Sequence, residues 1–195
     1  EVDSVIASGK GKSCLLVYTD LENFKYFNRK YGYAAGDQLL REFTGYIIDT
    51  LKKRNTAHFT RVVADQFILF FEEKWNNGSI EAIKRINNGF IERQQRKYPE
   101  AKLRLRTGVY KVEKDCDGDS FAIDAANYAR RQIQDNSPET VCVDDKTMAD
   151  LQNMENEIAI GLDKAIKNKE FKIYLQPRFS LTTGKIVGAE SLVRW

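Results

Sequence analysis

The chain has 195 residues, of which 42% are hydrophobic and 30% are charged, and its formal net charge is +3. This composition is typical of a globular protein and excludes a disordered chain, and the small net charge does not indicate a nucleic-acid-binding surface. No apolar run approaches the roughly 18 residues of a membrane span, and residues 1–4 lack the pattern of a signal peptide, so we expect a cytoplasmic location.

The start of the chain predicts one strand and two helices. Residues 14–18 form an apolar run that indicates a buried strand ending at Thr19 and Asp20. Asn23 precedes aromatic residues at helical spacing, and Gly32 predicts the end of that short helix. A longer helix is predicted to open at Gly36 and Asp37. Its apolar face comprises Leu39, Leu40, Phe43, Ile47 and Leu51.

The next part of the chain predicts a β-hairpin followed by alternating helices and strands. Residues 59–62 and 67–71 are strand-like and are separated by a very short connection. The later elements are a helix capped by Ser79 and ending near Pro99, a strand at 103–112, a helix at about 122–134 and a strand at 140–143. The resulting order, β-α-α-β-β-α-β-α-β, predicts an α+β fold in which helices flank an antiparallel-rich central sheet, related to the ferredoxin-like arrangement.

The last 45 residues predict a linker and the beginning of a second domain. Asn153 can cap a helix, and residues 171–175 and 186–190 are strand-like runs joined by a turn at 181–185. We therefore expect a first domain at 1–150, a linker helix at 151–170 and a fragment of another domain at 171–195. The three cysteines and the single histidine lack metal-ligand spacing, so neither a zinc site nor a disulfide framework is expected.

Two carboxylates occupy positions that suit a cation site. Asp20 lies at the predicted end of the first strand and Asp65 at the tip of the hairpin, where neighbouring strands can hold Mg²⁺ against a triphosphate. The alternative is that Asp20 caps the following helix and that Asp65 is an ordinary turn residue.

Several short motifs resemble the GGDEF domain family. These are residues 19–25 (TDLENFK), Asn28 and residues 36–40 (GDQLL). The hairpin at 61–67 (RVVADQF) stands where the family has R-x-G-G-D-E-F, and residues 125–130 resemble a later helix of the family. The resemblance covers roughly residues 12–145 and implies the palm-like fold of nucleotide cyclases.

The resemblance also implies a chemistry. Members join two GTP molecules into cyclic di-GMP, each GTP being held by one of two facing domains, with Mg²⁺ polarising the phosphates. It places Asp20 and Asp65 as metal ligands and gives Asn28 and Asp37 the recognition of guanine. The remaining nucleotide-binding residues that it implies are Lys25 and Arg130, the latter in place of a phosphate-facing lysine. It further implies that GTP or cyclic di-GMP is the ligand and that the domain can form a homodimer.

The hairpin departs from the family pattern although Asp65 and Phe67 are kept. Val63 and Ala64 replace two glycines that permit positive φ and close approach of the backbone to the nucleotide. Gln66 replaces a glutamate, and an amide cannot bind a proton as a base does. Loss of one such group costs on the order of 100- to 1,000-fold in rate, so the hairpin is degenerate and catalysis is not expected.

Other departures from the family pattern lie outside the hairpin. Tyr33 stands where the family has a histidine. Arg54 is kept from the family's product-inhibition motif, but Ala57 replaces its aspartate, so feedback binding of cyclic di-GMP is not expected.

The tail resembles the opening of an EAL domain, a family that hydrolyses cyclic di-GMP with metal. The matching stretches are residues 174–177 (YLQP), residues 183–184 (TG) and residues 188–195 (GAESLVRW). By resemblance Glu190 is a metal ligand, Gln176 contacts a base and Arg194 contacts a phosphate. The other ligands of that family lie further downstream, so hydrolysis by this chain is not expected.

Three hypotheses follow from the sequence. The first is a regulatory module, able to sense GTP, that tunes the EAL domain of the same full-length chain. The second is a weak diguanylate cyclase, and the third is a structural or dimerisation domain that binds no nucleotide. RNA binding through strand aromatics is disfavoured by the mild charge and by the family resemblance.

Overall fold

The structure, a computed structural model, describes residues 14–52, 57–71, 77–112, 119–135, 137–144 and 146–195. The chain divides into two compact units, residues 1–149 and residues 150–195. Arg54 and Cys116, which the sequence analysis considered, lie outside the described residues. None of the helices in the described ranges combines the length and apolar character that crossing a lipid bilayer requires.

The first unit is an α+β domain built on one mixed sheet, as predicted. Its elements are β1 (Cys14–Glu22), α1 (Phe24–Tyr31), α2 (Tyr33–Leu51), β2 (Ala57–Val63), β3 (Gln66–Phe71), α3 (Asn77–Lys97), β4 (Arg104–Val112), α4 (Asp119–Arg131) and β5 (Val141–Val143). The strand order is β2-β3-β1-β4-β5. Each neighbouring pair is antiparallel except β4 and β5, which are parallel.

The central strand β1 divides the apolar residues between two faces of the sheet. Because side chains alternate along a strand, Leu15, Val17 and Leu21 contribute to one core cluster, while Leu16 and Tyr18 contribute to the other. The first cluster also contains the apolar face predicted for α2, namely Leu39, Leu40, Phe43, Ile47 and Leu51. The second cluster includes Ala122 and Ala126 of α4. The sheet thus has helices on both faces.

Two predicted boundaries in the first unit were wrong by a few residues. β1 continues past Asp20 because Leu21 and Glu22 pair with β4, and the Glu22 carboxylate accepts a hydrogen bond from Arg106 Nε at 2.9 Å and forms a salt bridge with Arg106 Nη2. The extension places Asp20 inside the strand, so it does not cap the next helix. α2 begins at Tyr33 because the turn is made at Gly32, whose φ is +88°.

The second unit contains a helix and a two-stranded hairpin. Its elements are α5 (Lys146–Lys167), which begins just before the unit, β6 (Lys172–Phe179) and β7 (Ile186–Arg194). The ring centroid of Trp195 lies 5.1 Å from that of Phe171, and its indole nitrogen donates to Glu170 at 3.0 Å. Most apolar side chains of the hairpin are exposed, including Ile173 and Leu175, each 68% exposed.

Two predicted helix caps were also wrong. α3 starts at Asn77, two residues before Ser79, and α5 starts at Lys146, seven residues before Asn153. Both polar residues therefore lie inside helices. Serine and asparagine are preferred at helix starts but are also tolerated inside helices, so the residue type alone does not place a helix start.

Helix α4 lies in close contact with the sheet at Gly108 of β4. A Cβ at this position would overlap the carbonyl oxygen of Ala126 and the backbone nitrogen of Arg130, and it would lie 2.9 Å from Arg130 Cβ. Two of these atoms are helix backbone, which cannot rotate away as a side chain could. The absence of a side chain at Gly108 therefore sets the distance between α4 and the sheet.

Replacement of Gly108 by alanine is expected to destabilise the domain by about 3 kcal/mol, because α4 must shift to admit the methyl group. The matched control is Gly45→Ala in α2, where a Cβ meets nothing within 4 Å. That change is expected to stabilise the domain by about 1 kcal/mol through helix propensity. Urea unfolding followed by circular dichroism measures both, and similar midpoints for the two variants would contradict the close approach.

Candidate functional site

The strand register places the β2–β3 turn beside Asp20. Asp20 is the Cα partner of Gln66 in the β1–β3 pairing. Val63 pairs with Gln66 across the hairpin, which leaves Ala64 and Asp65 as the turn. The backbone N–H of Leu21 donates to the carbonyl oxygen of Asp65 at 3.4 Å, which ties the turn to β1. The structure therefore brings the predicted residues Asp20, Asp65 and Gln66 together.

Ala64 holds the turn in a backbone conformation that favours glycine. Its φ is +50°, where the Cβ of an L-residue crowds the backbone. Arg61 stabilises the turn because its Nε donates to the Ala64 carbonyl oxygen at 2.6 Å. Val63 does not share this conformation and is 58% exposed. The two positions that replace glycines thus differ, and the backbone strain falls on Ala64.

Asp20 is paired with Arg130 of α4. The guanidinium donates from Nη1 to Asp20 Oδ2, and the two side chains are only 12% and 18% exposed. The other carboxylate oxygen, Oδ1, is buried without a hydrogen-bond partner. Arg130 therefore supplies a positive charge at the position that the sequence analysis assigned to a metal ion.

The carboxyl groups of this cluster titrate above their usual range. The pKa of Asp20 is raised to about 6, chiefly by burial; the Arg130 guanidinium lowers this pKa and the charge of Asp65 contributes to raising it. Burial also raises the pKa of Asp65. Asp65 raises the pKa of Asp20, whereas the positive charge of Arg130 lowers the pKa of both carboxyl groups.

The Gln66 side chain is hydrogen-bonded to Tyr18, which was not among the residues predicted for the site. The Tyr18 hydroxyl donates to Gln66 Oε1 at 2.7 Å, and its ring lies 5.6 Å from the guanidinium carbon of Arg130. The signal for Tyr18 was present in the sequence. Residues 18 and 20 share one face of a strand because side chains alternate.

The residues predicted to recognise guanine lie at the junction of α1 and α2. Asn28 Oδ1 is buried and has no hydrogen-bond partner. A Cβ at Gly36 would overlap this oxygen and lie 2.9 Å from Asn28 Cγ, so a side chain at position 36 would force the Asn28 amide to move. Asp37 follows directly and is exposed, as is Lys25 on α1. The junction thus combines an unpaired amide oxygen with an accessible carboxylate.

Asp37 also borders a surface cavity. The cavity has a volume of about 210 Å³ and is lined by Asp37, Leu40, Arg41, Thr44 and Arg61. Arg61 therefore connects this cavity to the turn at Ala64. The sequence analysis quoted Arg61 only as part of a motif and did not name it as a site residue.

The other predicted residues have different environments. Phe67 is fully buried, and its ring centroid lies 4.8 Å from that of Phe43, which makes it a core residue. In the second unit, Gln176 and Glu190 are Cα partners in the hairpin, and Arg194 donates to the carbonyl oxygen of Val193 at 2.9 Å.

The cluster at Asp20 does not fit a magnesium site. Mg²⁺ demands octahedral oxygen coordination, usually with carboxylates among its ligands. In nucleotide sites one or two carboxylates suffice because phosphates complete the coordination, so the fit depends on whether the oxygens of Asp20 and Asp65 are free. One oxygen of Asp20 already accepts from Arg130, and the neutral Gln66 replaces an acid. The donor set therefore disagrees with the metal that the resemblance implies.

Comparison with known proteins gives a family and a fold. Residues 2–137 match the family described as "Diguanylate cyclase, GGDEF domain". Cyclic di-GMP phosphodiesterase PdeR of Escherichia coli is 26% identical, and the match covers 100% of this chain and 29% of PdeR. The chain spans 24–29% of the length of the first curated relatives that it matches.

Two solved structures share the fold. The GGDEF domain of DgcB from Caulobacter crescentus, solved with c-di-GMP, gives a TM-score of 0.61 at 17% identity, covering 72% of this chain and 84% of that one. The S helix-GGDEF-EAL structure of Vibrio cholerae LapD gives a TM-score of 0.58 at 14% identity, covering 98% of this chain and 44% of that one.

Replacement of Ala64 by glycine is expected to stabilise the domain by up to about 1 kcal/mol, because glycine adopts positive φ without a Cβ clash. The neighbouring change Val63→Gly is the control and is expected to destabilise by about 1 kcal/mol, since it only adds freedom to the unfolded chain. Urea unfolding midpoints measure the difference. Stabilisation by both changes, or by neither, would contradict the assignment of the strain to Ala64.

Proposed function

The chain belongs to the GGDEF domain family, and we propose that its first unit is a catalytically inactive member that binds a guanine nucleotide and regulates an adjoining EAL domain. The observation that carries the proposal is a contrast within one domain. Asn28 and Asp37, which are predicted to bind guanine, are unpaired or exposed, whereas Gln66 and Asp20 beside the hairpin turn are engaged with other side chains of the domain.

Guanine binding is supported by the α1–α2 junction. Guanine carries N1–H and N2–H₂ donors on one edge, and a carboxylate such as Asp37 can accept from both. The Asn28 amide is a further polar group at the junction, and the burial of its Oδ1 without a partner costs free energy in the unliganded domain. Gly36 keeps the space that this amide needs. These features are those of an acceptor site for a base with two adjacent donors.

Loss of catalysis is supported by the turn and the cluster beside it. Positive φ at Ala64 places a methyl group where the family has only glycine backbone. Gln66 is a neutral amide held by Tyr18, and Asp20 is neutralised by Arg130. Phosphoryl transfer depends on electrostatic stabilisation of the phosphates by a bound cation, and position 66 supplies no carboxylate to hold such a cation.

The second unit is consistent with a fragment of an EAL domain, as residues 171–195 predict. A two-stranded hairpin is marginally stable alone, and this one leaves Ile173, Leu175 and Val187 more than half exposed. PdeR, which is named a cyclic di-GMP phosphodiesterase, matches over the full length of this chain. We infer that the nucleotide-binding unit regulates hydrolysis of cyclic di-GMP by the EAL domain.

GTP is expected to bind the chain in calorimetric titration, and ATP is expected to bind at least about tenfold more weakly, because adenine lacks the two donors that Asp37 accepts. Asp37→Ala and Asn28→Ala are each expected to weaken GTP binding roughly ten- to a hundredfold. Asp49→Ala removes the same charge elsewhere on α2 and should leave the affinity unchanged. Equal binding of GTP and ATP, or none of either, would contradict the proposal.

Purified protein incubated with GTP and Mg²⁺ is expected to form no cyclic di-GMP beyond the amount from an Asp20→Ala control, as measured by chromatography of the products. The triple change Val63→Gly, Ala64→Gly and Gln66→Glu restores the family residues of the hairpin. Because Arg130 still neutralises Asp20, we expect this variant to remain inactive. Product from the unaltered chain above the control would identify it as a weak diguanylate cyclase.

A further inference from the structure

The Arg130 guanidinium is held by three kinds of contact at once. Asn127 Oδ1 accepts from Nε at 3.0 Å and from Nη2 at 2.8 Å, while Nη1 donates to Asp20. The guanidinium carbon also lies 5.6 Å from the centre of the Tyr18 ring. These contacts use three of its five N–H groups, so two donors remain for another partner.

The backbone of Arg130 is as firmly placed as its side chain. Gly108 admits the backbone nitrogen and Cβ of Arg130 to a distance that any other residue at that position would prevent. Asn127 lies one turn earlier on the same helix, so its grip on the guanidinium does not depend on Asp20. Arg130 is therefore positioned at the carboxylates before any ligand arrives.

A divalent ion would have to displace this guanidinium. It needs the oxygens of Asp20, one of which is already an acceptor for Arg130, and it would be repelled by the fixed positive charge. A guanidinium, in contrast, pairs with a carboxylate and with a phosphate in the same plane.

We propose that Arg130 takes the place of the divalent ion, neutralising Asp20 and offering its remaining N–H groups to the nucleotide phosphates, so that the guanine nucleotide binds without Mg²⁺. The proposal rests on the guanine binding proposed above and specifies its cation. The rest of the cluster agrees with it, because Gln66 removes a metal-ligating acid and is itself held by Tyr18.

The first test uses the unaltered chain and needs no variant. GTP is titrated calorimetrically once with excess Mg²⁺ and once with EDTA. The two affinities are expected to agree within about threefold, because the cation is part of the protein. A loss of roughly tenfold or more on removal of Mg²⁺ overturns the proposal, since the nucleotide would then require the metal.

The second test measures metal binding without nucleotide. Free Mn²⁺ is followed by electron paramagnetic resonance in the presence of the unaltered chain, of Arg130→Gln and of Arg131→Gln. Arg131 is the neighbouring exposed arginine on α4, and its guanidinium lies over Tyr128. We expect Mn²⁺ to bind only Arg130→Gln, and the added change Asp20→Asn to abolish that binding.

The two tests separate the two proposals. If GTP binds under neither condition, the proposed function fails. Separately, if Mn²⁺ binds the unaltered chain as tightly as it binds Arg130→Gln, Arg130 does not take the place of the divalent ion. If Arg130→Gln does not fold, as judged by circular dichroism, Arg130→Lys is used instead. Lysine keeps the charge but lacks the planar pair of donors, so it should weaken metal-free GTP binding without admitting Mn²⁺.

Discussion

The pairing of β1 with β3 on one side and β4 on the other is the constraint on which the rest of the first unit depends. Because successive side chains of β1 alternate, this register sends Leu15, Val17 and Leu21 towards α1, α2 and α3. It sends Tyr18 and Asp20 towards α4 on the other face. One strand thus anchors a large apolar core and at the same time presents a carboxylate to the site.

Much of this architecture was accessible from the sequence. Apolar periodicity distinguished the buried face of α2, and two apolar runs with a short connection indicated the β2–β3 hairpin. The resemblance to a family named Asn28 and Asp37, which the fold places on adjoining helices. These features could be predicted because each depends on the spacing of residues within a short stretch of the chain.

The pairing of Asp20 with Arg130 was not accessible in the same way, since the two residues are 110 positions apart. It requires the register of β1 and the close approach of α4 at Gly108, neither of which local pattern determines. A partial signal existed: Ala122, Ala126 and Arg130 recur every four residues and so share one helix face. The cap predictions at Ser79 and Asn153 failed for a different reason, because serine and asparagine also occur inside helices and do not by themselves place a helix start.

The contact between Gly36 and Asn28 has an evolutionary consequence. Any side chain at position 36 would enter the space of the Asn28 amide and force the amide out of its present position, so a change at position 36 favours a change at position 28. Among descendants of this chain the two positions should therefore vary as a pair.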